Sequence, residues 1–363
     1  MKLVYTNSHP SDLLADERAG HLVRARELLA ALDSLGHQVT IVEAAAGKGS
    51  QVAAATYHGP LRHVPRPILL AARDIARGMQ SVVHGVRVAR VARRVGADAI
   101  IETHNSTALA GAVATWISRR PLVLDDVTPD AEESSYYELG LPKLGRWIRR
   151  FALARAARLV TVSDTIACAL MGEGFAAFRI AVVPNGTLAP ADPAAGRAWR
   201  ERLGIDADAP VVIYVGSFQE FHDVPLLVRA LGRADAPAGA VAVLVGDGDL
   251  RPAVEQAVRS SGLTDRIRFV GRLPHHDVAG VLACADAAVL PGTAPYMNPM
   301  KLYEYVAAGL PVVAPDHPGV REILSEGARA RLFPAGDAAA FDRVVAELHD
   351  RVSAMLSDQP GAG

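Results

Sequence analysis

Short apolar runs recur through the second half of the chain, and each is followed by a polar loop and a helical stretch. Continuous apolar runs rich in β-branched residues are typical of strands that are covered on both faces of a parallel sheet. The alternation of strand and helix therefore predicts an α/β domain with a parallel sheet and helices on both faces. The predicted strands span residues 211–216, 241–246, 267–271, 287–291 and 310–314.

The first half of the chain shows the same alternation with less diagnostic residues. Residues 20–35 have the pattern of an amphipathic helix, and Ser163 is predicted to cap a helix. The polar loop at residues 7–20 lacks the G-x-G-x-x-G fingerprint, which argues against a nicotinamide dehydrogenase. The predicted strands of this half span residues 2–6, 39–42, 99–102, 121–126, 159–162 and 182–185.

Composition agrees with two cytoplasmic domains. A chain of 363 residues is long enough for two hydrophobic cores, and its net charge of −1 gives no reason to expect a nucleic-acid partner. No apolar run reaches the length of a membrane span, and the N-terminus leads directly into a strand without a signal peptide. Cys168 and Cys284 are predicted to be buried free thiols in a reducing cytoplasm.

The segment 299–314 carries the strongest chemical signal. Lys301 stands in the first turn of a predicted helix that ends at Gly309, and Glu304 follows one turn later on nearly the same face. A lysine and free backbone N–H groups at a helix N-terminus favour an anion, and a nearby carboxylate can accept hydrogen bonds from ribose hydroxyls. The alternative is an ordinary capped helix whose lysine and glutamate are only solvated.

Several short motifs, taken in order, resemble the retaining glycosyltransferases of family 4, which have the GT-B fold. They are V-V-P-N-G (182–186), Y-V-G-S-F (214–218), L-V-G-D-G-D-L (244–250), R-F-V-G-R-L (268–273) and A-C-A-D-A-A-V-L-P (283–291). The resemblance covers nearly the whole chain. It implies two Rossmann-like domains that face each other across a cleft.

A stretch rich in proline and alanine at residues 188–196 predicts the domain boundary. An acceptor-side domain is expected at residues 1–187 and a nucleotide-sugar-binding domain at 188–340. A helix at 341–356 is expected to pack back toward the first domain, and the tail at 357–363 is expected to be disordered.

Site residues are carried over from the family position by position. The resemblance implies that Lys301, Glu304 and His104 are catalytic, with Glu304 on the ribose and His104 facing the donor sugar. Asn105, Asp125 and Asp126 are expected to contact the acceptor, although Asp125 and Asp126 also fit a solvated helix start. The donor-binding residues are expected to be Gly20, Gly216, Ser217, His222, Gly246, Arg272, Leu273, Asn298, Pro299, Met300, Lys301 and Glu304.

Three features depart from the common family pattern. Tyr296 stands where many members have the first of two glutamates, so Asn298 or backbone amides are expected to replace that contact. Ser217 and His222 stand where many members have arginine and lysine. The D-x-D at 247–249 looks like a metal motif but is predicted to open the next helix, and neither a metal nor a cofactor is expected.

The expected reaction is metal-independent transfer of a sugar from a nucleoside diphosphate, with UDP-sugar favoured and GDP-sugar also compatible. The acceptor is expected to be a small molecule or a glycolipid. No carboxylate nucleophile is evident, so the departing diphosphate is expected to accept the proton of the acceptor. The alternatives are a nucleotide-sugar epimerase on the same fold and a non-catalytic partner subunit. A monomer and a homodimer are both compatible with the sequence.

Two segments are strongly basic. Residues 57–94 hold eight arginines and one acid, Asp74, and residues 143–158 interleave basic with apolar side chains. A solvated domain face is the favoured interpretation. Peripheral contact with anionic lipid headgroups, or with a phosphorylated acceptor, is the alternative.

Overall fold

The computed structural model describes residues 1–7, 22–44, 64–104, 108–127, 139–187, 193–233, 239–324 and 329–347. The chain forms two compact α/β units, Met1–Pro184 and Asn185–Gly363.

The first unit contains a six-stranded sheet in the order β2-β1-β3-β4-β5-β6, and all of its neighbouring strands are parallel. Its strands are β1 Lys2–Asn7, β2 Gln38–Glu43, β3 Ala99–Thr103, β4 Leu122–Asp125, β5 Arg158–Thr161 and β6 Ile180–Val182. Its helices are α1 Val23–Ser34, α2 Arg66–Val95, α3 Ala110–Ser118, α4 Pro142–Arg155 and α5 Asp164–Gly172, with a 3₁₀ turn at Ala177–Arg179.

Alternate residues of the strands in this sheet fill two separate cores. Val4 and Ile100 pack on one face, with the apolar side of α2, whereas Tyr5 and Ile101 pack on the other face, with α1. Successive side chains of a strand point to opposite faces, so strands covered on both faces are apolar throughout. Ser163 caps α5 as predicted, because its hydroxyl accepts a hydrogen bond from the Ile166 amide at 3.2 Å.

The second unit has a parallel six-stranded sheet in the order β12-β11-β10-β7-β8-β9. Its strands are β7 Val211–Val215, β8 Val241–Val245, β9 Ile267–Gly271, β10 Ala287–Val289, β11 Val312–Pro315 and β12 Ala330–Phe333. Its helices are α6 Pro193–Leu203, α7 Val224–Leu231, α8 Arg251–Ser260, α9 His275–Leu282, α10 Met300–Ala307, α11 Pro318–Ile323 and α12 Ala338–Ala346, with a 3₁₀ turn at Glu220–His222.

Strand order identifies the place where each sheet is best suited to bind a ligand. The order in which successive strands are added to the second sheet reverses between β7 and β10, and ligands of open α/β sheets bind at the carboxyl ends of strands next to such a switch point. In the first sheet the corresponding position lies between β1 and β3. A ligand-binding site is therefore expected in the loops that follow these strands.

Several sequence predictions differ from the structure. The last described helix, α12, begins at Ala338 rather than at residue 341, and its Phe341 belongs to the core of the second unit. The D-x-D segment does not open a helix: α8 begins at Arg251, and the Asp247 carboxylate accepts the Gly248 amide at 2.8 Å. A short aspartate side chain bonds readily to nearby backbone in this way, outside a helix. Residues 348–363, which include the predicted tail, lie outside the described part of the chain.

The two cysteines have different environments. Cys284 is buried as predicted, and burial raises the pKa of its thiol to about 11. Cys168 is exposed, which corrects the prediction. Its neighbours on α5, Ile166, Ala167 and Leu170, occupy the buried face of that helix and leave position 168 on the outer face.

Within the described ranges, no helix combines the length and the apolar character that crossing a membrane requires.

Candidate functional site

The loop after β7 closely approaches the loop after β8. Gly246 has a φ of +128°, and a Cβ atom at this position would collide with the Gly216 carbonyl oxygen. A Cβ atom on Gly216 would in turn collide with the Nζ of Lys301. Glycine at both positions therefore lets two backbone segments and a lysine side chain meet at the carboxyl edge of the sheet.

Lys301 reaches this position from the first turn of α10. Its Nζ lies 3.1 Å from Nε2 of His222 and 3.5 Å from the hydroxyl of Tyr214, and 4.9 Å from the centre of the Tyr214 ring. His222 Nδ1 lies 3.3 Å from the carbonyl oxygen of Gly292. Donation from Nδ1 to that carbonyl leaves Nε2 free to accept a hydrogen bond from the lysine.

The electrostatics of this cluster favour an incoming anion. Burial lowers the pKa of Lys301 to about 7, and the Glu304 carboxylate opposes this shift. Burial, and next the charge of Lys301, lower the pKa of His222 to about 2, so this imidazole is neutral. No carboxylate in the described part of the chain forms an ion pair with Lys301. The hydrogen-bond partners of the Lys301 ammonium, His222 and Tyr214, are neutral, so an anion that binds beside this buried charge stabilises it further.

Glu304 lies one turn beyond Lys301, but its carboxylate points to a different partner. Its Oε1 lies 2.8 Å from Nε2 of His275, the first residue of α9. Both side chains are largely buried, with 12% and 19% of their surfaces exposed. Among the described residues, the second oxygen of Glu304 has no hydrogen-bond partner and can accept one from a ligand.

The segment before α10 is held in place from two sides. The Asn185 amide donates to both the backbone and the side-chain oxygen of Asn298, each at 3.1 Å. A Cβ atom on Gly319 would collide with the carbonyl oxygen of Met297, so the start of α11 packs directly on this loop. Tyr296, at the position of the missing glutamate, is only 6% exposed. These contacts fix the position of the backbone immediately before the first residue of α10.

The remaining predicted donor residues lie around this cluster with varied exposure. Ser217 is exposed, although its carbonyl accepts a hydrogen bond from Tyr214 at 2.8 Å. Arg272 is exposed and Leu273 is half-buried in the loop after β9. Pro299 is buried and Met300 is half-buried at the start of α10. Gly20 lies outside the described residues.

Three residues of this cluster, Tyr214, His275 and Asn185, are not among the site residues predicted from the sequence. Tyr214 lies within a predicted strand, where an aromatic residue is expected to pack in the hydrophobic core. Only the structure shows that its ring lies beneath Lys301. No sequence motif predicts a role for His275, because its hydrogen-bond partner Glu304 lies 29 positions away in the chain. Asn185 belongs to the V-V-P-N-G motif, so the motif already marked it as a position to examine.

A second polar cluster lies at the carboxyl edge of the sheet in the first unit. His104 follows β3 and is 7% exposed, and neither ring nitrogen has a hydrogen-bond partner among the described residues. Burial, and next the charge of Arg149, lower the pKa of His104 to about 3. The imidazole is therefore neutral, and its nitrogens are available to a ligand.

Asp125 and Asp126 are buried beside His104 and paired with arginines. Arg24 contacts Asp125 at 2.8 Å, and the fully buried Arg149 contacts Asp126 at 2.7 Å and also Glu173 at 2.6 Å. These carboxylates are therefore not part of a solvated helix start. Asn105 lies outside the described residues.

No described group of three or more histidine, cysteine, aspartate or glutamate side chains is arranged to hold a metal ion.

Comparison with known proteins places this geometry in a family. A model described as glycosyl transferases group 1 matches residues 209–351, and a model described as glycosyltransferase family 4 matches residues 19–187. The chain belongs to the family 4 type of GT-B glycosyltransferases. The predicted fold class of two Rossmann-like domains is confirmed.

Individual relatives are similar over part of their length. A 2-deoxystreptamine N-acetyl-D-glucosaminyltransferase of Streptomyces fradiae is 30% identical over 207 residues, which cover 54% of this chain and 48% of the relative. A 2-deoxystreptamine glucosyltransferase of Streptomyces kanamyceticus is 30% identical over 217 residues, which cover 58% and 56%. The chain thus matches about half the length of these relatives.

Solved structures share the fold over nearly the whole chain. HepE of Anabaena, solved with UDP and glucose, aligns with a TM-score of 0.67 at 19% identity and covers 99% of this chain and 100% of its own. Sucrose-phosphate synthase of Thermosynechococcus elongatus aligns with a TM-score of 0.72 at 19% identity and covers 98% and 94%. At these identities the likeness concerns the fold.

Proposed function

We propose that the protein is a glycosyltransferase that moves a sugar from a nucleoside diphosphate sugar to a hydroxyl group of an acceptor. The observation that carries the proposal is the environment of Lys301. Its buried ammonium lies 3.1 Å from a neutral imidazole, with no described carboxylate paired to it, at the switch point of a parallel sheet. A diphosphate supplies a negative charge in direct contact with this ammonium.

The parts of the donor have separate partners in this proposal. The diphosphate lies against Lys301 and the N-terminus of α10, where glycine at position 216 lets it approach the backbone closely. The free oxygen of Glu304 accepts a hydrogen bond from the ribose. The loop after β9, with Arg272 and Leu273, lies beside the base. UDP is the favoured nucleotide, as in the HepE complex.

The chemistry proposed for the site is retaining and needs no metal. The bond between the anomeric carbon and the diphosphate oxygen breaks, and the acceptor oxygen bonds to that carbon on the same face. The departing diphosphate oxygen takes the proton of the acceptor hydroxyl. Lys301 stabilises the negative charge that grows on the diphosphate, which lowers the barrier because the site is already organised for it. The neutral imidazole of His104 is proposed to hydrogen-bond the donor sugar.

The acceptor proposed first is a small polyol or aminocyclitol. This choice rests on the names of the two Streptomyces relatives, both of which are 2-deoxystreptamine glycosyltransferases. Asp125 and Asp126 are the proposed acceptor contacts, because carboxylate oxygens accept hydrogen bonds from hydroxyl and amine groups. A glycolipid acceptor is the second choice.

The first experiment measures thermal stability of the purified protein with UDP, GDP, dTDP and ADP. A ligand that binds only the folded state raises the melting temperature by mass action. We expect a shift with UDP that is lost in Lys301→Ala and in Glu304→Ala. Arg259→Ala, which removes an exposed charge at the end of α8, is the matched control and should keep the shift. A protein that shifts with none of the four nucleotides would contradict the proposal.

The second experiment tests turnover. Release of UDP from a panel of UDP-sugars is followed in the presence of inositol, 2-deoxystreptamine or neither. We expect release that depends on the acceptor, and a product whose anomeric configuration by NMR equals that of the donor. Nucleotide binding without any release would instead favour the non-catalytic subunit.

A further inference from the structure

Helix α2 carries a stripe of large apolar side chains that face solvent. Ile75, Met79 and Val83 are 49%, 66% and 71% exposed, and Ile68 and Val82 extend the same side of the helix. Steps of seven, four and four residues from Ile68 to Val83 place these side chains on one face. The opposite side of α2 holds Val88, Ala89 and Ala92 in the core, so this side anchors the helix while the side chains of the stripe are exposed.

The same face becomes basic toward the end of the helix. Arg87, Arg90 and Arg94 follow Val83 at helical spacing, all three are exposed, and none has an ion-pair partner among the described residues. The only acid in residues 66–95 is Asp74, which is 5% exposed. Its carboxylate accepts the amides of Gly140 and Leu141 at 2.7 and 3.2 Å and does not neutralise these arginines.

Asp74 also joins a second helix of the same character to α2. The Asp74 carboxylate, on α2, accepts hydrogen bonds from the amides of residues 140 and 141, which immediately precede α4. A Cβ atom on Gly140 would collide with the α2 backbone, so the two segments are in direct contact. On α4, Trp147 is 61% exposed and stacks on Phe151 with ring centres 5.5 Å apart. Further exposed α4 side chains are Lys143, Leu144, Arg146 and Arg150.

We propose that the exposed faces of α2 and α4 form a docking surface for a membrane that contains anionic lipid. Apolar side chains beside cations, with an aromatic ring among them, fit a lipid surface because the headgroups are anionic and the region below them is apolar. The surface involves none of the donor-site residues, so this inference stands apart from the proposed function.

Two other occupants fit these observations less well. In a two-fold dimer through this face, each copy would bring its own arginines, with no acid on the helix to neutralise them. A phosphorylated small molecule would pair with Arg87, Arg90 and Arg94 but would leave the stripe from Ile68 to Val83 in water. Only an anionic lipid surface uses both parts of the face.

The test is co-sedimentation of the full chain with vesicles. One set contains phosphatidylcholine alone, and the other contains phosphatidylcholine with phosphatidylglycerol as a minor component. We expect binding to the anionic vesicles and about tenfold weaker binding to the neutral ones. The apolar variant Ile75→Gln/Met79→Gln/Val83→Gln and the basic variant Arg87→Gln/Arg90→Gln/Arg94→Gln should each lose about tenfold in affinity for anionic vesicles.

Leu35→Gln is the matched control because Leu35 is 71% exposed but lies at the end of α1. It should bind as the unmodified protein does, and unchanged far-ultraviolet circular dichroism should show that all variants fold. Equal binding to both vesicle types, or no binding to either, would overturn the proposal. A dimer in analytical ultracentrifugation that the apolar variant abolishes, without vesicle binding, would assign this face to a second copy instead.

Discussion

Nε2 of His275 lies 2.8 Å from the carboxylate of Glu304, and this contact joins the start of α9 to the middle of α10. His275 follows Leu273 and Pro274, which end the loop after β9. The residue proposed to hold the ribose is therefore oriented by the first helical residue after the loop proposed to flank the base. One hydrogen bond therefore joins the two segments that are proposed to hold the nucleoside.

Loss of this hydrogen bond should weaken nucleotide binding. In His275→Ala the Glu304 carboxylate loses the partner that fixes its direction, and a hydrogen bond to a charged group contributes about 1.5–3 kcal/mol. We therefore expect the Kd for UDP to rise about tenfold, by isothermal titration calorimetry. His275→Gln, which can still donate, should recover much of the loss.

A comparison of ligands separates orientation of Glu304 from general damage to the fold. Because Glu304 is proposed to bind ribose hydroxyls, His275→Ala should weaken UDP binding more than binding of 2′-deoxy-UDP. A loss of equal size for both ligands would mean that His275 acts on the fold rather than on the ribose contact.

Gly216→Ala should displace Lys301. The added methyl group would collide with Nζ of the lysine and lie 2.8 Å from the Tyr214 hydroxyl. We expect the variant to remain folded and to lose at least about tenfold in affinity for UDP, since overpacking costs about 1–3 kcal/mol. Gly174→Ala is the control, because Gly174 also has a positive φ (+95°) but a Cβ atom there meets nothing within 4 Å. Unchanged UDP binding by Gly216→Ala would show that the lysine position is not critical.

Nucleotide binding should be accompanied by the uptake of a proton at Lys301. The pKa of the buried ammonium lies near 7, below its ordinary 10.5, so at pH 8 the free protein holds this lysine mostly neutral. A bound diphosphate favours the charged form and raises the pKa. Calorimetry at pH 8 in buffers of different ionisation enthalpy should show uptake of up to about one proton, absent in Lys301→Met.

The same pKa shift sets a stability trend in the ligand-free protein. Between pH 7 and 10.5 the unfolded chain holds a proton on this lysine that the folded chain lacks, so this contribution to stability grows as pH rises. This pH-dependent gain in the free energy of unfolding is completely lost once the pH falls through the folded-state pKa of about 7. Lys301→Met should therefore raise the melting temperature more at pH 6 than at pH 9. An equal change at both pH values would mean that the ammonium is not desolvated.

Most of the fold could be predicted because buried parallel strands leave a clear pattern. Runs such as residues 211–215 and 241–245 are apolar throughout, and the structure confirms them as strands. The edge strand β12 was missed because only Phe333 among its four residues is buried. The sequence identifies the region of α2 as strongly basic but does not predict a helix there. Helices are usually recognised by one apolar and one polar face, and α2 has exposed apolar side chains on the face that would be expected to be polar.

The candidate site could be predicted only as far as backbone spacing determines it. The positions of Lys301 and Glu304 on one helix face follow from their spacing, but their side chains diverge toward different loops. A lysine has a long, flexible stem, so its direction depends on the shape of the surrounding pocket. That pocket depends on Gly216 and Tyr214, which meet Lys301 only through the tertiary fold.

The Arg149–Asp126 pair should be required for stability of the first unit. Arg149 is 1% exposed, and its removal would take away the guanidinium that contacts the buried Asp126 carboxylate at 2.7 Å. Breaking a buried pair from one side costs about 3–5 kcal/mol, far more than the pair contributes over an apolar replacement. Arg149→Met should therefore lower the urea midpoint strongly, whereas Arg150→Met, at the exposed neighbouring position, should change stability by less than about 0.5 kcal/mol.

The double variant Arg149→Met/Asp126→Asn distinguishes pairing from packing. If the cost of Arg149→Met comes from the uncompensated carboxylate, neutralising Asp126 in the same chain should recover part of the lost stability. The pKa of His104 provides a second readout, because the charge of Arg149 contributes to lowering it. NMR titration should show a higher His104 pKa in Arg149→Met, which loses the cation and keeps the Asp126 carboxylate. Additive losses of stability with an unchanged His104 pKa would mean that Arg149 acts through packing alone.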